Sequence, residues 1–370
     1  MTRVLITGGA GFIGSHTSDV LLEAGYRVRV LDNLTAQVHG PSRQPPAYLN
    51  PAAELIVGDV TDPAAMDRAL RGVDHVLHLA SSVGVGQSMY DMVSYVQNNE
   101  VGTATLLEAL AKRPCARLVV ASSMSVYGEG LCQDASQQIV YPAERSVQQL
   151  RSARWELEDE NGQDLTPVPT PETKPPSLSS VYALNKYAQE RLCLMVGKAY
   201  GIPVAALRFF NVYGPRQALS NPYTGVLAIF AARLLNSRSP MVFEDGRQRR
   251  DFVHVRDVAD ACRLALESKS DGEVFNVGSG QSRSILSVAT DLAEVMDRND
   301  LKPRITGKYR AGDIRHCFAD IEKSRKLLQF SPRMDFKHGL EEFACYLADQ
   351  IADDQVERAT EELASRGLVA

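Results

Sequence analysis

The sequence has little of several features that mark particular protein classes. Its six cysteines (115, 132, 193, 262, 317 and 345) are scattered and form no C-x-x-C pair, which argues against a disulfide framework and an intact zinc site and favours a reducing compartment. No stretch approaches the roughly 18 apolar residues of a membrane-spanning helix, and the initial RVLITGG does not resemble a signal peptide. A net charge of −5 argues against a broad surface for nucleic acid or anionic lipid. We therefore expect a cytoplasmic protein with no metal, membrane or nucleic-acid partner.

What is present indicates a globular protein with a large core. The chain has 370 residues, of which 44% are hydrophobic and 23% are charged, enough for one large domain with a smaller lobe, or for two domains. We expect a first domain over residues 1–215, interrupted by an insertion at 131–177. That insertion is rich in Gln, Glu and Pro, and its end, TPVPTPETKPPS, predicts a surface excursion without regular elements. Residues 216–370 are expected to form a smaller lobe, partly interleaved with the first domain.

Strand and helix signals alternate through the first half of the chain. Nearly continuous apolar runs predict strands at 3–7, 27–32, 54–59, 74–80, 117–123 and 204–215. Amphipathic segments predict helices near 14–24, 62–71, 92–112 and 179–200, and one or two more over 336–366. This order predicts an α/β fold with a doubly wound parallel sheet of the Rossmann type.

A glycine-rich turn, ITGGAGFIGSH, joins the first strand to the first helix. Its Gly8, Gly11 and Gly14 follow a G-x-x-G-x-x-G spacing that lets a pyrophosphate approach the helix N-terminus; the alternative is an ordinary tight turn. Asp32 ends the second strand, where a carboxylate binds ribose hydroxyls and repels a 2′-phosphate, so the sequence predicts NAD rather than NADP. Asp59 and Val60 are expected to flank the adenine, although Asp59 could equally be a capping or loop carboxylate.

A tyrosine and a lysine lie four residues apart in SSVYALNKYAQE, within the predicted helix 179–200. Residues at this spacing share one helix face, and the alternative is a surface tyrosine packed on a lysine stem. A phenol needs about 4 kcal/mol of selective stabilisation to become a base near pH 7. One ammonium about 5 Å away supplies about 3 kcal/mol at an effective dielectric of about 20, and an oxidised nicotinamide ring can supply the rest. Tyr182 would then take a proton from a sugar hydroxyl, Lys186 would also hold the cofactor ribose, and a serine at the end of strand 117–123 would orient the sugar oxygen.

These motifs, in this order and together with the S-S-x-x-V-Y-G run, resemble the extended short-chain dehydrogenase/reductase family, most closely its nucleotide-sugar epimerases and dehydratases. The resemblance covers nearly the whole chain outside 131–177. It implies Ser123 as the catalytic hydroxyl, rather than Ser122 or Ser125. It also implies a homodimer in which helices 92–112 and 179–200 of each subunit form a four-helix bundle.

The resemblance extends the predicted site to two sets of residues. The expected substrate contacts are Ser123, Asn211, Arg250, Arg310 and Asp313, with the two arginines converging on the diphosphate; the alternative for each arginine is an ordinary salt bridge. The expected cofactor contacts are Gly8, Gly11, Phe12, Ile13, Gly14, Asp32, Asn33, Asp59, Val60, Leu79, Ala80, Asn99, Ser122, Tyr182, Lys186 and Phe209.

The residues after Ser123 bear on the choice of reaction. The family's 4,6-dehydratases carry Asp–Glu there, whereas this chain has Met124 and Ser125, which disfavours dehydration. The insertion resembles the one in dTDP-L-rhamnose 4-epimerases, but it retains only Cys132 of their paired cysteines, so no zinc is expected. This resemblance implies a 4-epimerase that converts dTDP-L-rhamnose to dTDP-6-deoxy-L-talose, a lipopolysaccharide or O-antigen precursor. The alternatives are a UDP-sugar 4-epimerase, a 4-keto-sugar reductase or dehydrogenase, and a non-catalytic NAD sensor; the insertion could equally be a lid or a subunit contact.

Overall fold

The computed structural model describes residues 1–219, 225–310, 312–350 and 354–369. Its strands are β1 (Arg3–Thr7), β2 (Arg27–Asp32), β3 (Glu54–Val57), β4 (His75–His78), β5 (Arg117–Ser123), β6 (Cys132–Gln133), β7 (Ile139–Val140), β8 (Thr166–Pro167), β9 (Val204–Phe209), β10 (Asn211–Tyr213), β11 (Met241–Val242), β12 (Arg249–His254), β13 (Glu273–Val277), β14 (Ser282–Ser284), β15 (Arg304–Ile305) and β16 (His316–Cys317). Its α-helices are α1 (Phe12–Glu23), α2 (Ala36–His39), α3 (Pro63–Ala69), α4 (Val85–Ser88), α5 (Met92–Val96), α6 (Gly102–Lys112), α7 (Val147–Arg151), α8 (Val181–Tyr200), α9 (Val226–Leu235), α10 (Val255–Glu267), α11 (Ile285–Val295), α12 (Glu322–Leu328), α13 (Phe336–Ala348) and α14 (Val356–Ser365). None of the helices in these ranges has the length and apolarity needed to cross a bilayer.

A seven-stranded parallel sheet forms the centre of the structure, in the order β13-β9-β5-β4-β1-β2-β3. The predicted α/β fold with a parallel sheet is confirmed, although β3 and β4 end two residues earlier than expected. The seventh strand, β13, was not predicted. It comes from the second half of the chain and pairs with β9 through Phe275 and Leu207.

Helices cover both faces of this sheet, as the unbroken apolar strands require. Successive side chains of a strand point to opposite faces: Val4 and Ile6 of β1 belong to the core under α1 and α10, whereas Leu5 belongs to the core under α3, α6 and α8. The carboxyl ends of the strands therefore form one open edge between two helical layers, and this edge receives the glycine turn, Ser123 and the first turn of α8.

Two predicted elements are divided. Helix 92–112 consists of α5, a π-helical segment at Gln97–Val101, and α6. Strand 204–215 consists of β9 and β10, which pair with different sheets. The chain leaves the central sheet at this break and enters a second core built by α9, α11 and α13, with Phe230, Leu292 and Phe343 at its centre. The final stretch forms two helices, α13 and α14, as predicted.

The insertion forms regular elements, and the prediction that its end, 166–177, contains none is wrong. Strands β7, β6 and β8 make a small antiparallel sheet, and α7 follows β7. The proline of the Thr166–Pro167 strand is tolerated because β8 lies at the edge of that sheet. Cys132, Leu157 and Leu165 are buried in a small core of their own, which gives this short chain segment a fixed shape.

Candidate active site

The glycine turn is shaped by two close backbone approaches. A Cβ atom on Gly8, whose φ is +71°, would lie 2.8 Å from the Ala80 Cα, and a Cβ on Gly14 would lie 2.4 Å from the Gly8 carbonyl oxygen. Gly11 is the N-cap residue of α1 and provides no side-chain cap; a Cβ there would meet only the Gly8 carbonyl oxygen, at 3.4 Å. The free N–H groups of the first helical turn therefore face open space beside Gly11, which fits an anion such as a pyrophosphate.

Asp32 connects the second strand to this turn. One carboxylate oxygen accepts the Ala10 N–H at 3.0 Å, and the other accepts the Leu34 N–H at 2.9 Å. His39 lies 3.7 Å from the same carboxylate. Asp32 thus orders the glycine turn and the loop after β2, in addition to the ribose contact predicted for it.

Asn33 and Asp59 come together at the ends of β2 and β3. The Asn33 amide donates to Asp59 at 2.8 Å, and Thr61 donates to Asp59 through its N–H at 2.9 Å and its hydroxyl at 2.7 Å. Burial would raise the pKa of Asp59, but these hydrogen bonds from Asn33 and Thr61 outweigh it and lower the pKa below its ordinary value. The adjacent Val60 packs against Gly102 of α6, so its side chain helps fix the edge of the sheet.

The remaining predicted cofactor residues lie along the same edge, with one exception. Phe12 and Ile13 begin α1, Leu79 and Ala80 follow β4, Asn99 is fully buried in the π-helical segment and Phe209 ends β9. The exception is Ser122, whose hydroxyl donates to Glu190 of α8 at 2.7 Å. Because neighbouring strand residues point to opposite faces, Ser122 and Ser123 cannot both direct their hydroxyls into the cleft.

Ser123 and Tyr182, 59 positions apart (182 − 123), form the centre of the site. The Ser123 side chain faces the Tyr182 phenol, and its interaction with the phenol opposes the burial that raises the pKa of Tyr182 to about 12. Ser123 Oγ accepts from the Ser125 hydroxyl at 2.9 Å and from the Ser125 N–H at 3.2 Å. Its own proton is therefore available for the phenol oxygen.

Lys186 lies one turn after Tyr182 in α8 and is buried with it. Burial lowers the pKa of Lys186 to about 7, against the opposing effects of Cys193 and Glu190. Its Nζ donates to Gln189 Oε1 at 2.8 Å. The groups of the protein alone therefore leave the Tyr182 phenol protonated at neutral pH, because burial dominates, and the expected lower pKa depends on the additional positive charge of an oxidised nicotinamide.

Apart from Ser123, the predicted substrate residues lie on β10, on β12 and between β15 and β16. The Arg250 guanidinium donates to the carbonyl oxygens of Arg315, at 3.0 Å, and Ile314, and it lies 3.8 Å from Asp313. The amide oxygen of Asn211 is buried without a hydrogen-bond partner, so an acceptor is left over in this region.

Arg310 is held differently from Arg250. Its guanidinium lies over the Phe243 ring, 4.8 Å from the centroid, and its Nε is buried without a partner. The structure therefore joins Arg250 to Asp313 but holds Arg310 against an aromatic ring, and the predicted convergence of both arginines stays a prediction.

The profile of the NAD dependent epimerase/dehydratase family matches residues 4–150 and 158–278. The chain belongs to this family. A dTDP-L-rhamnose 4-epimerase of Burkholderia thailandensis is 37% identical over 354 residues, which cover 94% of this chain and 96% of the relative. A protein described as a putative UDP-glucose 4-epimerase of Methanocaldococcus jannaschii is 33% identical, with 91% and 95% covered. The UDP-glucose 4-epimerase of Thermotoga maritima, solved with UDP-glucose, superimposes with a TM-score of 0.76 at 30% identity and covers 94% of this chain and 99% of its own.

Membership in the NAD dependent epimerase/dehydratase family confirms the predicted NAD dependence. The predicted class, nucleotide-sugar 4-epimerases of the extended short-chain dehydrogenase/reductase family, is confirmed as well. The UDP-glucose 4-epimerase of Thermus thermophilus, solved in complex with NAD, has a TM-score of 0.73 at 30% identity, with 94% of this chain and 99% of that chain covered.

Sequence reasoning missed two side chains that contact the predicted site residues. Gln189 could have been found, because it lies three residues after Lys186 and shares its helix face. Arg145 could not: it lies in the insertion, yet it donates to the Asp313 carbonyl oxygen at 3.0 Å. No short-range pattern connects two positions that are 168 residues apart.

Proposed function

We propose that the chain is a 4-epimerase that converts dTDP-L-rhamnose to dTDP-6-deoxy-L-talose. The observation that carries the proposal is the placement of Ser123 beside Tyr182, with Lys186 one helical turn away, all three buried at the carboxyl edge of the sheet. The sugar is supported by the dTDP-L-rhamnose 4-epimerase of B. thailandensis, which is 37% identical over nearly its whole length.

In this proposal each side chain has a separate task. Bound NAD would supply the hydride acceptor for sugar carbon 4 and the hydride donor for its re-reduction on the opposite face. Tyr182 takes the proton of the carbon-4 hydroxyl and gives it back after the keto-sugar has turned, while the Ser123 hydroxyl holds the same oxygen. Lys186 stabilises the phenolate and contacts the cofactor ribose.

The glycine turn and the second lobe provide the binding contacts of the proposal. The open N-terminus of α1 beside Gly11 takes the cofactor pyrophosphate, and Asp32 takes the adenosine ribose. Arg250 and the NH₂ group of Asn211 would donate to the substrate diphosphate, with Asp313 3.8 Å from the Arg250 guanidinium. Arg310 joins them only if its guanidinium leaves Phe243, which its unpaired Nε favours.

The residues after Ser123 support epimerisation over dehydration. Met124 packs in an apolar cluster with Val126 and Phe210, and the Ser125 hydroxyl donates to Ser123. Neither side chain is an ionisable acid or base that could remove the proton at carbon 5 and expel water from carbon 6.

The test is turnover by the purified protein with no added cofactor. dTDP-, UDP- and GDP-linked sugars are incubated separately, and inversion at carbon 4 is read by NMR; we expect inversion of dTDP-L-rhamnose and NAD in the supernatant after denaturation. Tyr182→Phe should lower kcat by about 10²- to 10⁴-fold, because it removes the proton acceptor. The matched control is Tyr200→Phe, the same substitution at an exposed position of the same helix, which should leave kcat unchanged.

Three results would contradict the proposal. Inversion seen only with UDP-sugars would show that the substrate is a UDP-sugar and not dTDP-L-rhamnose. A preparation free of dinucleotide that works only with excess NADH would indicate a 4-keto-sugar reductase. Full turnover by Tyr182→Phe would remove the catalytic assignment and leave a non-catalytic NAD-binding protein as a competing explanation.

We also propose a homodimer through the predicted helices. Val93 of α5 is 81% exposed, and Leu184 and Met195 of α8 are 50% and 54% exposed; the latter two lie 11 residues apart and share a helix face (195 − 184). Val93→Glu with Leu184→Glu should convert a dimer to a monomer in light scattering. Leu327→Glu, an equally exposed leucine on α12 (49%), is the control, and a monomeric unaltered protein would refute the proposal.

A further inference from the structure

A network of buried, hydrogen-bonded polar groups connects Lys186 to α6. Lys186 Nζ donates to Gln189 Oε1 at 2.8 Å, and Gln189 Nε2 donates to Thr103 Oγ1 of α6 at 2.9 Å. The three residues are 3%, 1% and 0% exposed. Because an unpaired polar atom at such a depth is costly, the orientation of each group is set by the partners available to it.

The direction of each hydrogen bond in this network follows from Thr103. Its hydroxyl has one proton, which it donates to the Asn99 carbonyl oxygen at 2.6 Å. Thr103 Oγ1 can therefore only accept from other groups. Gln189 must turn its NH₂ group toward Thr103, and its carboxamide oxygen must consequently face Lys186.

His78, the last residue of β4, is a second donor to Thr103 and is consistent with the same hydrogen-bond directions. His78 Nε2 lies 2.9 Å from Thr103 Oγ1, and since that oxygen accepts, Nε2 carries the proton. His78 Nδ1 then accepts from Thr7 Oγ1 at 2.8 Å, and Thr7 Oγ1 accepts the Ala80 N–H at 3.2 Å. The longer 3.4 Å separation between His78 Nε2 and Gln189 Nε2 is then a contact between two donors.

We propose that Gln189 is a positioning residue whose carboxamide oxygen, oriented by Thr103 and His78, holds the Lys186 ammonium in place beside Tyr182. The network reaches back to Thr7, directly before the glycine turn, so it fixes the lysine relative to the cofactor edge as well. This inference rests on the proposed function for its consequence in catalysis, but not for its effect on the lysine.

Few other charges surround this ammonium. On its own helix it faces Cys193 and Glu190, and Glu190 is paired with Arg208 of β9 at 2.7 Å. From β4 it faces His78, which burial and the lysine itself keep neutral by lowering the pKa of the imidazole to about 3. With Tyr182 protonated at neutral pH, Gln189 is the neutral acceptor in direct contact with Nζ. Removing it should therefore destabilise the ammonium and lower the pKa of Lys186 further.

The experiment compares two changes at position 189. In Gln189→Leu, the descending alkaline limb of kcat against pH should move to lower pH by about one unit, which corresponds to about 1.4 kcal/mol. kcat near pH 7.5 should fall by about tenfold, with KM for the nucleotide-sugar within about twofold. Gln189→Glu keeps an acceptor and adds a negative charge, so its limb should move to higher pH. If Gln189 had only a structural role, the two variants would not shift the alkaline limb of the pH profile in opposite directions.

Thr103→Val provides an isosteric variant if Gln189→Leu fails to fold. It removes the acceptor that orients the amide, and it should shift the limb in the same direction as Gln189→Leu by a smaller amount. The matched control is Thr105→Val, two residues away on α6, where the hydroxyl makes the same kind of bond to the carbonyl oxygen of Val101 at 2.9 Å. That variant should retain the original profile.

A direct readout separates this inference from the proposed function. The pKa of Lys186 is measured by ¹³C NMR of the purified enzyme labelled at lysine Cε, with Lys186→Arg for assignment. A lower pKa in Gln189→Leu supports the inference even if Tyr182→Phe proves active and the proposed function fails. An unchanged lysine pKa in both Gln189→Leu and Gln189→Glu, with only a loss of thermal stability, would overturn it.

Discussion

Two buried polar clusters in this protein are built in opposite ways. Around Lys186, the groups in hydrogen-bond contact are neutral, each hydrogen bond has a defined direction, and the nearest carboxylate, Glu190, is already paired with Arg208. Under the insertion, charges are concentrated: the fully buried Arg315 contacts Glu156 at 2.5 Å, Glu244 at 2.8 Å and Asp245 at 2.7 Å. The first cluster lies within the sheet domain, whereas the second joins the insertion to the second lobe.

This difference indicates what each cluster is suited to do. An ammonium whose direct hydrogen-bond partner is neutral responds strongly to the loss of that partner, because no carboxylate is in contact with it. In the second cluster the charges compensate one another, and Arg145 adds a further pair with Glu244 at 2.9 Å. When one member of such a cluster is lost, part of the remaining charge loses its counter-charge in a largely buried region, which is costly.

The largest expected effect is therefore the loss of Arg315. Arg315→Met should lower the free energy of unfolding by about 3–5 kcal/mol, because Glu156, Glu244 and Asp245 lose their shared partner. Arg154→Met is the matched control: Arg154 is exposed and pairs with Glu158 inside the insertion at 3.0 Å, and its loss should cost at most about 1 kcal/mol.

The measurement for this pair is urea denaturation, with Thr103→Val as a reference from the neutral cluster. Loss of that hydroxyl should cost about 1–3 kcal/mol. An Arg315→Met protein no less stable than Thr103→Val would show that the two clusters do not differ in the way described.

The parts of the site that the sequence predicted are the local ones. The glycine turn lies within seven residues, and Tyr182 and Lys186 share one face of α8, so spacing alone brings their chemistry together. The serine run could be placed because parallel strands end at a common edge. The side chains of Ser122 and Ser123 point in different directions because side chains alternate along a strand, and this could also have been predicted.

The parts that the sequence could not predict depend on contacts between distant segments. Glu156 and Arg315 are 159 residues apart, and nothing near either residue indicates the other. The same holds for β13, whose pairing with β9 decides that a strand from the second half belongs to the first sheet. The proline content of the insertion does not exclude strands there, because β6 and β8 need only two paired residues each.

A smaller effect, in the pH dependence of stability, tests whether the charged cluster also contains a neutral acid. Burial raises the pKa of Glu129 to about 7 from 4.5, although Arg145 and the N–H groups of Arg315 and His316 oppose the shift. Below about pH 4.5 the carboxyl is protonated in both the folded and the unfolded chain. Between about pH 4.5 and 7 the unfolded chain releases this proton while the folded protein keeps it, so the stability that Glu129 contributes is lost as the pH rises.

Glu129→Gln should remove this loss. The free energy of unfolding of the variant, relative to the unaltered protein, should increase by about 1–3 kcal/mol between about pH 4.5 and 7 and then level off. Urea denaturation across this range gives the difference at each pH, and Glu144→Gln, at an exposed position of the insertion, should give a flat line. A flat line for Glu129→Gln as well would mean that Glu129 is ionised in the folded protein. Arg145, 3.7 Å away, would then be its counter-charge, and the cluster would consist of charges alone.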